Sequence, residues 1–162
     1  MNRRLRPRAG LAGRQALLSL MVFAALLVLS AAIAARAEEA RIGTVKTLKG
    51  AAQILSGSDT IAAAVGTALH QNDVLETGED GAVGVTFIDN TTLSLGPRSR
   101  ITLSKVVFNP DKGDFAFVAK LAKGTFMFVS GGVAKLAPQA VDISTPTATI
   151  GIRGTRFLVK VE

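Results

Sequence analysis

Few residues in this chain have the chemistry to do more than bind. One histidine, His70, and no cysteine, tryptophan or tyrosine occur in 162 residues. His70 precedes Asp73, but a Ser-His-Asp relay needs a serine in a sharp exposed elbow, and no Gly-x-Ser-x-Gly run is present. Without cysteine there are no disulfides, thiolate metal sites or thiol nucleophiles. Asp111 and Asp114 bracket Gly113 and could suggest a calcium clasp. Calcium takes roughly six to eight oxygen ligands, so two carboxylates beside Lys112 read as a turn. A Gly-x4-Gly-Lys-Ser/Thr phosphate loop is absent. Phe115, Phe117, Phe126 and Phe128 with Lys120 and Lys123 have the composition of base-stacking strands. Their period of two is instead the spacing of a core face. Asn90-Thr91-Thr92 is a glycosylation sequon in form only. No catalytic residue, metal or cofactor is expected, and the chain does not read as an enzyme.

Charge locates the molecule. Six arginines and no acid fall in residues 1–37, leaving thirteen Lys and Arg against all twelve Asp and Glu beyond. The basicity therefore belongs to a leader, and a broad nucleic-acid face is not expected in the rest. Met1 to Gln15 is Arg-rich, Ala16 to Ala35 is uncharged and apolar, and Ala35-Arg36-Ala37 precedes Glu38-Glu39. That order predicts an apolar helix serving as a secretory signal peptide, 1–37, cleaved between Ala37 and Glu38. An uncleaved run of this length would instead anchor the chain in the membrane. Either way residues 38–162 are expected outside the cytoplasm, in the periplasm or secreted.

The elements that remain must be strands. Val83, Val85 and Phe87 alternate, Asp89-Asn90 supplies a turn, and Leu93 and Leu95 resume until Gly96-Pro97. Ile101 and Leu103 restart the pattern; Asn109 to Gly113 reads as a hairpin loop. Phe115, Phe117, Ala119 and Leu121 form the next stripe, and Thr125 to Val129 follows Gly124. Short strands with frequent turn signals predict one all-β domain over 38–162, solenoid-like or sandwich-like. The Ala-rich Ile61–Ala68 stretch admits a helical turn that Gly66 would limit.

Several phrases resemble the FecR-type domain family. Gly43-x-Val45 with Gly50, and Asn72 to Gly78, are similar to its opening half. Phe87-Ile88-Asp89-Asn90 followed by Leu93, Leu95, Pro97 and Ser99 is similar to its Asp-Gly-Ser, alternating Leu, Pro, Ser phrase, with Asn90 where the family often has Gly. Thr145-Pro146 and then Gly151-x-Arg153-Gly154-Thr155-x-Phe157 resemble its closing signature. The resemblance implies an extracytoplasmic β-rich domain. Its best-known members relay a signal from an outer-membrane transporter to a cytoplasmic sigma factor, through a long cytoplasmic segment before their membrane helix. About fifteen Arg-rich residues precede the apolar run here, so direct sigma-factor control is not expected.

Local chemistry accounts for much of the signature. Thr145-Pro146 starts a strand or corner. Gly151 and Gly154 suit a tight turn, Arg153 can hold turn carbonyls or Asp142, the alternative being that it binds a partner or ligand, and Thr155 can cap the corner. The expected function is an exported, non-enzymatic interaction or sensing module. The alternatives are a structural or peptidoglycan-associated envelope protein and, remotely, an envelope hydrolase. Thr155 to Glu162 reads as an apolar strand with Phe157, Val159 and Val161 on one face. Such an edge invites strand addition by an envelope protein or self-association.

Overall fold

Glycine-interrupted alternation builds long strands that bend. The structure, a computed structural model, describes residues 40–150 and 156–161. Its described residues form twelve strands, one short helix and two single 3-10 turns. The strands are β1 (Gly43–Lys49), β2 (Ala52–Ser56), β3 (Asp59–Ala62), β4 (Ala68–Leu69), β5 (Val74–Thr77) and β6 (Ala82–Phe87). They continue as β7 (Thr92–Leu95), β8 (Arg100–Asn109), β9 (Asp114–Val129), β10 (Val141–Ser144), β11 (Thr149–Ile150) and β12 (Arg156–Val161). Helix α1 is Gly132–Leu136. Together the strands make a sheet curled into half a barrel.

Strand β9 is the spine. Its first part pairs with β8 from Asp114 to Lys123, and its last part pairs with β7 from Phe126 to Val129. Because β7 and β8 follow one another along one edge of β9, its other edge is left for β10 and β12. There β10 runs parallel to Phe117–Lys120 and β12 antiparallel to Gly124–Val129. Two wings extend from this spine. One runs β7-β6-β1-β4, the other β8-β5-β2-β3. Consecutive strands β1 and β2, β5 and β6, and β7 and β8 thus each pass from one wing to the other.

Alternation puts Ile54, Leu75, Ile101, Leu103, Phe117, Ala119 and Leu121 inside one wing and Val45, Val83, Val85, Phe87, Leu93, Phe126 and Phe128 inside the other. Phe87 meets Phe117 edge to face at 5.0 Å, and Phe117 meets Phe128 at 5.2 Å, so the wings share one core. The inward parity of β9 changes from odd residues up to Leu121 to even residues from Phe126. The change falls at Gly124, at φ +93°, where the strand bends. What the sequence presents as two stripes is therefore one sixteen-residue strand.

No helix forms over Ile61–Ala68. Ile61 pairs with Ile54, and Thr67 closes a turn onto Ala64, so strand pairing takes the backbone groups a helix needs. The Asn109–Gly113 loop is as expected. Pro110–Lys112 makes a 3-10 turn, the Asn109 side chain accepts from the Lys112 N–H, and Gly113 adopts the left-handed conformation.

Candidate functional site

Polar residues inside the domain gather at three corners. The first is a crease where the four long segments bend: Gly50-Ala51, Gly78 to Gly81, Gly96 to Ser99, and Gly124-Thr125. Hydrogen bonds run along it without a break. The Gly78 N–H donates to the Ala51 carbonyl at 2.8 Å and the Arg98 N–H to the Gly78 carbonyl at 2.9 Å. The buried Thr77 hydroxyl donates to the Gly96 carbonyl at 2.7 Å and accepts from the Ser99 N–H at 2.9 Å. Ser99, fully buried, accepts from the Thr125 N–H at 2.9 Å and donates to its carbonyl at 3.1 Å. A Cβ at Gly124 would land on the Ser99 hydroxyl and Cα, and one at Gly81 on the Ala51 carbonyl. Glycines far apart in sequence therefore line one seam because backbone meets backbone there.

The second corner centres on Asp89, which is 2% exposed. One carboxylate oxygen accepts from the Thr91 N–H at 3.0 Å; the other accepts from the Thr91 hydroxyl at 2.7 Å and from the Val133 N–H at 3.0 Å. The Asp89 carbonyl takes the Gly132 N–H at 2.7 Å. A residue of the β6–β7 hairpin thus caps α1, satisfying N–H groups the helix leaves open. Asn90 sits at φ +64°, which explains how it stands in for glycine.

The third corner holds the residues nearest to a catalytic arrangement. Asp73 is buried, and its carboxylate accepts the His70 backbone N–H at 2.8 Å, with the His70 ring nitrogen at 3.8 Å. No serine joins them. The Gln71 amide donates to the Val106 carbonyl at 2.9 Å and accepts from its N–H at 3.0 Å, filling the ladder beside a bulge in β8. Among the described residues, no buried side-chain nitrogen or oxygen lacks a hydrogen-bond partner. No group of three metal-ligating side chains occurs among them either. The corners hold the fold, and their buried side-chain polar groups are all paired.

On the outer face Gln53, Glu76, Arg100 and Lys123 stand in register across β2, β5, β8 and β9. Glu76 accepts from Gln53 at 3.1 Å and faces Arg100 at 3.6 Å and Lys123 at 3.9 Å. The small residues Ala51, Ala52, Ala62 and Gly78 leave an open groove of about 460 Å³ beside Gln53 and Glu76.

The closing signature is brought to the free side of β9. Thr145 closes a tight turn after β10: its hydroxyl accepts from the Ala148 N–H at 3.0 Å, and its own N–H donates to the Ala148 carbonyl at 2.7 Å. Pro146 lies within that turn, so Thr145-Pro146 forms the expected corner. Phe157, in β12, stacks on Phe128 at 5.1 Å and meets Phe126 edge-on at 5.9 Å. Gly151, Arg153, Gly154 and Thr155 lie outside the described residues, as do Ala37 and Glu38. Among the described residues β12 pairs with β9 alone, and so forms an edge. Phe157, Val159 and Val161 are half-buried against the core, while Leu158 is 67% exposed on the outer face.

The model of the family described as FecR protein matches residues 73–162, more than half of the chain and all of β5 to β12. The chain belongs to the FecR protein family. No curated protein and no solved structure matches it. The FecR match opens at Asp73, the buried acid of the third corner, and takes in the Asp89 cap, the Ser99 seam and the β12 edge. Strand β1 lies before it in sequence yet pairs with the family's β6 over Gly43–Lys49, completing the same sheet. Sequence reading found Asp89 and Ser99 as parts of phrases and missed what they do. Their partners, Val133 and Thr125, are 44 and 26 residues away.

Proposed function

We propose that this chain is an exported, non-enzymatic FecR-type module that senses or relays in the periplasm by contact with another protein of the envelope. The observation that carries the reading is a contrast in satisfaction. The polar groups inside the domain are consumed by the crease and the caps, whereas β12 offers a strand edge flanked by exposed Leu158. A module of this build works by being touched, through strand addition or self-association. The Arg-rich leader with Ala35-Arg36-Ala37 supports export, and a sensing role accords with membership of the family.

The test joins fractionation to site-specific cross-linking. Full-length protein expressed in a Gram-negative host is expected in the periplasm, with an intact mass beginning at Glu38. A photo-cross-linker at Leu158 is expected to give an adduct there, and one at Glu79, exposed in a turn between β5 and β6 and on no strand edge, none. Cytoplasmic accumulation with Met1 to Ala37 retained, or no adduct at Leu158, overturns the reading.

A further inference from the structure

We infer that a shallow groove over Gly84, on the outer face of the β7-β6-β1-β4 wing, is a site for one phosphate group. The site lies on β1, β6 and β7, so it does not rest on the β12 edge. It begins with a glycine that the backbone does not ask for. Gly84 sits inside β6 without a positive φ, where glycine weakens a strand and marks a close approach. The atoms nearest to a Cβ there belong to side chains: it would touch the Thr47 hydroxyl and lie 4.0 Å from the Ser94 hydroxyl. Thr47 and Ser94 stand in register on either side of Gly84, so two hydroxyls flank one gap. Thr47 faces outward because β1 bulges between Val45 and Thr47, which reverses the phase of the strand and turns Leu48 inward.

The groove holds about 170 Å³, with Lys49, opposite Ala82, at one end. Pockets that enclose whole small molecules run to roughly 300–1,000 Å³, so this one fits a single group or a free ion.

The donors set the sign of what enters. Among the described residues neither hydroxyl makes a hydrogen bond, and Lys49 has no ion pair. The outer face of the other wing differs, because Glu76 there already engages Gln53, Arg100 and Lys123. No Asp or Glu occurs in β1, β4, β6, β7 or β12. Asp80 lies against Gly50, just past Lys49, and pairs with no lysine among the described residues. Two hydroxyls and an ammonium, with no carboxylate lining the groove, call for an anion rich in acceptors. A tetrahedral phosphate turns separate oxygens toward donors that arrive from both sides and one end. A planar carboxylate has two oxygens to offer three donors.

The test is amide NMR of the protein as it accumulates in cells, titrated with inorganic phosphate at constant ionic strength. Saturable shifts centred on Thr47, Gly84 and Ser94 are expected, with a Kd on the order of 1 mM. Ser94→Ala and Lys49→Gln should each weaken binding about tenfold, since each removes a hydrogen bond to a charged group. Neither side chain makes a polar contact among the described residues, so both variants should melt in urea like the wild type. Gly84→Ala, which fills the gap, should abolish the shifts. The inference is overturned by an absence of saturable shifts, by equal shifts when chloride alone is titrated, or by wild-type affinity in Ser94→Ala and Lys49→Gln. Shifts spread evenly over exposed lysines such as Lys105 and Lys120 overturn it too. Vesicles of mixed phosphatidylglycerol and phosphatidylcholine, set against phosphatidylcholine alone, separate the sources. Capture that inorganic phosphate competes away, and that Ser94→Ala loses, places the group on a lipid headgroup. Phosphate binding without capture places it on a soluble phosphate, and either result supports the site.

Discussion

The crease and the β12 edge are both built on β9, and they treat the backbone in opposite ways. At Gly124-Thr125 the chain turns from one wing to the other, and the Thr125 N–H and carbonyl both find the Ser99 hydroxyl, the carbonyl taking the Gly96 N–H as well. Five residues further on, Val129 pairs with Arg156 at the start of a strand that has β9 as its one strand partner among the described residues. The first arrangement matches its polar groups internally and, at Gly50, Gly81 and Gly124, leaves no room for a Cβ. The second, among the described residues, pairs its backbone on one side only. Buried polar residues in a small all-β domain are thus no sign of chemistry when every one is matched; the place to look for function is where matching stops.

The sharpest way to break the comparison is at the bend itself. Gly124→Val adds a branched side chain at φ +93°, directly onto the Ser99 hydroxyl and backbone. A loss of about 4 kcal/mol or outright failure to fold is expected in urea melts. Near-wild-type stability would show that the crease is a soft joint. Asp89→Ala comes next. It leaves the Val133 and Thr91 N–H groups and the Thr91 hydroxyl without their acceptor, and about 3 kcal/mol is expected to go, read from the same melts. Asp89→Asn keeps one acceptor oxygen and should recover part of that loss. If Asp89→Ala costs nothing, the cap on α1 is incidental to the fold.

How much of this was legible depends on distance along the chain. The alternation of Val83, Val85 and Phe87, the Asp89-Asn90 turn and the Asn109–Gly113 loop are local patterns, and the structure keeps them. The inward phase of β9 was harder. Phe117, Ala119 and Leu121 are odd-numbered and Phe126 and Phe128 even-numbered, so a continuous strand with a bend reads like two strands and a break. Nor could the seam be read. Gly50, Gly78, Gly96 and Gly124 look like four separate turn signals until pairing places them side by side. Helix α1 is five residues long, too short for a period to show, and its cap comes from another hairpin. Ile61–Ala68 erred the other way: its alanines favour helix, and pairing with β2 overrode them. At the candidate site, the face presented by Phe157 was legible because a period of two fixes it. Which edge β12 occupies was not, since that follows from β7 and β8 having already taken the opposite side of β9.

Two adjacent residues of β12 give the finest test, because they should behave differently by face alone. Phe157 points inward and contacts the rings of Phe126 and Phe128 at 5.9 and 5.1 Å. Its removal in Phe157→Ala takes away part of an aromatic cluster that the rest of the sheet cannot collapse to fill. Because the ring is half-buried, a loss of about 2 kcal/mol is expected, short of the full cost at a closed core site. Leu158 points outward and is 67% exposed, so Leu158→Ser should leave the stability of the single chain unchanged within about 0.5 kcal/mol. The same substitution should still weaken whatever pairs along β12, since it strips the apolar contact from the outer face. Measured together, urea melts at low protein concentration and sedimentation at high concentration separate the two roles. A Leu158→Ser variant that loses stability while dilute would mean that the outer face is already covered by the chain itself, and the contrast between crease and edge would no longer hold.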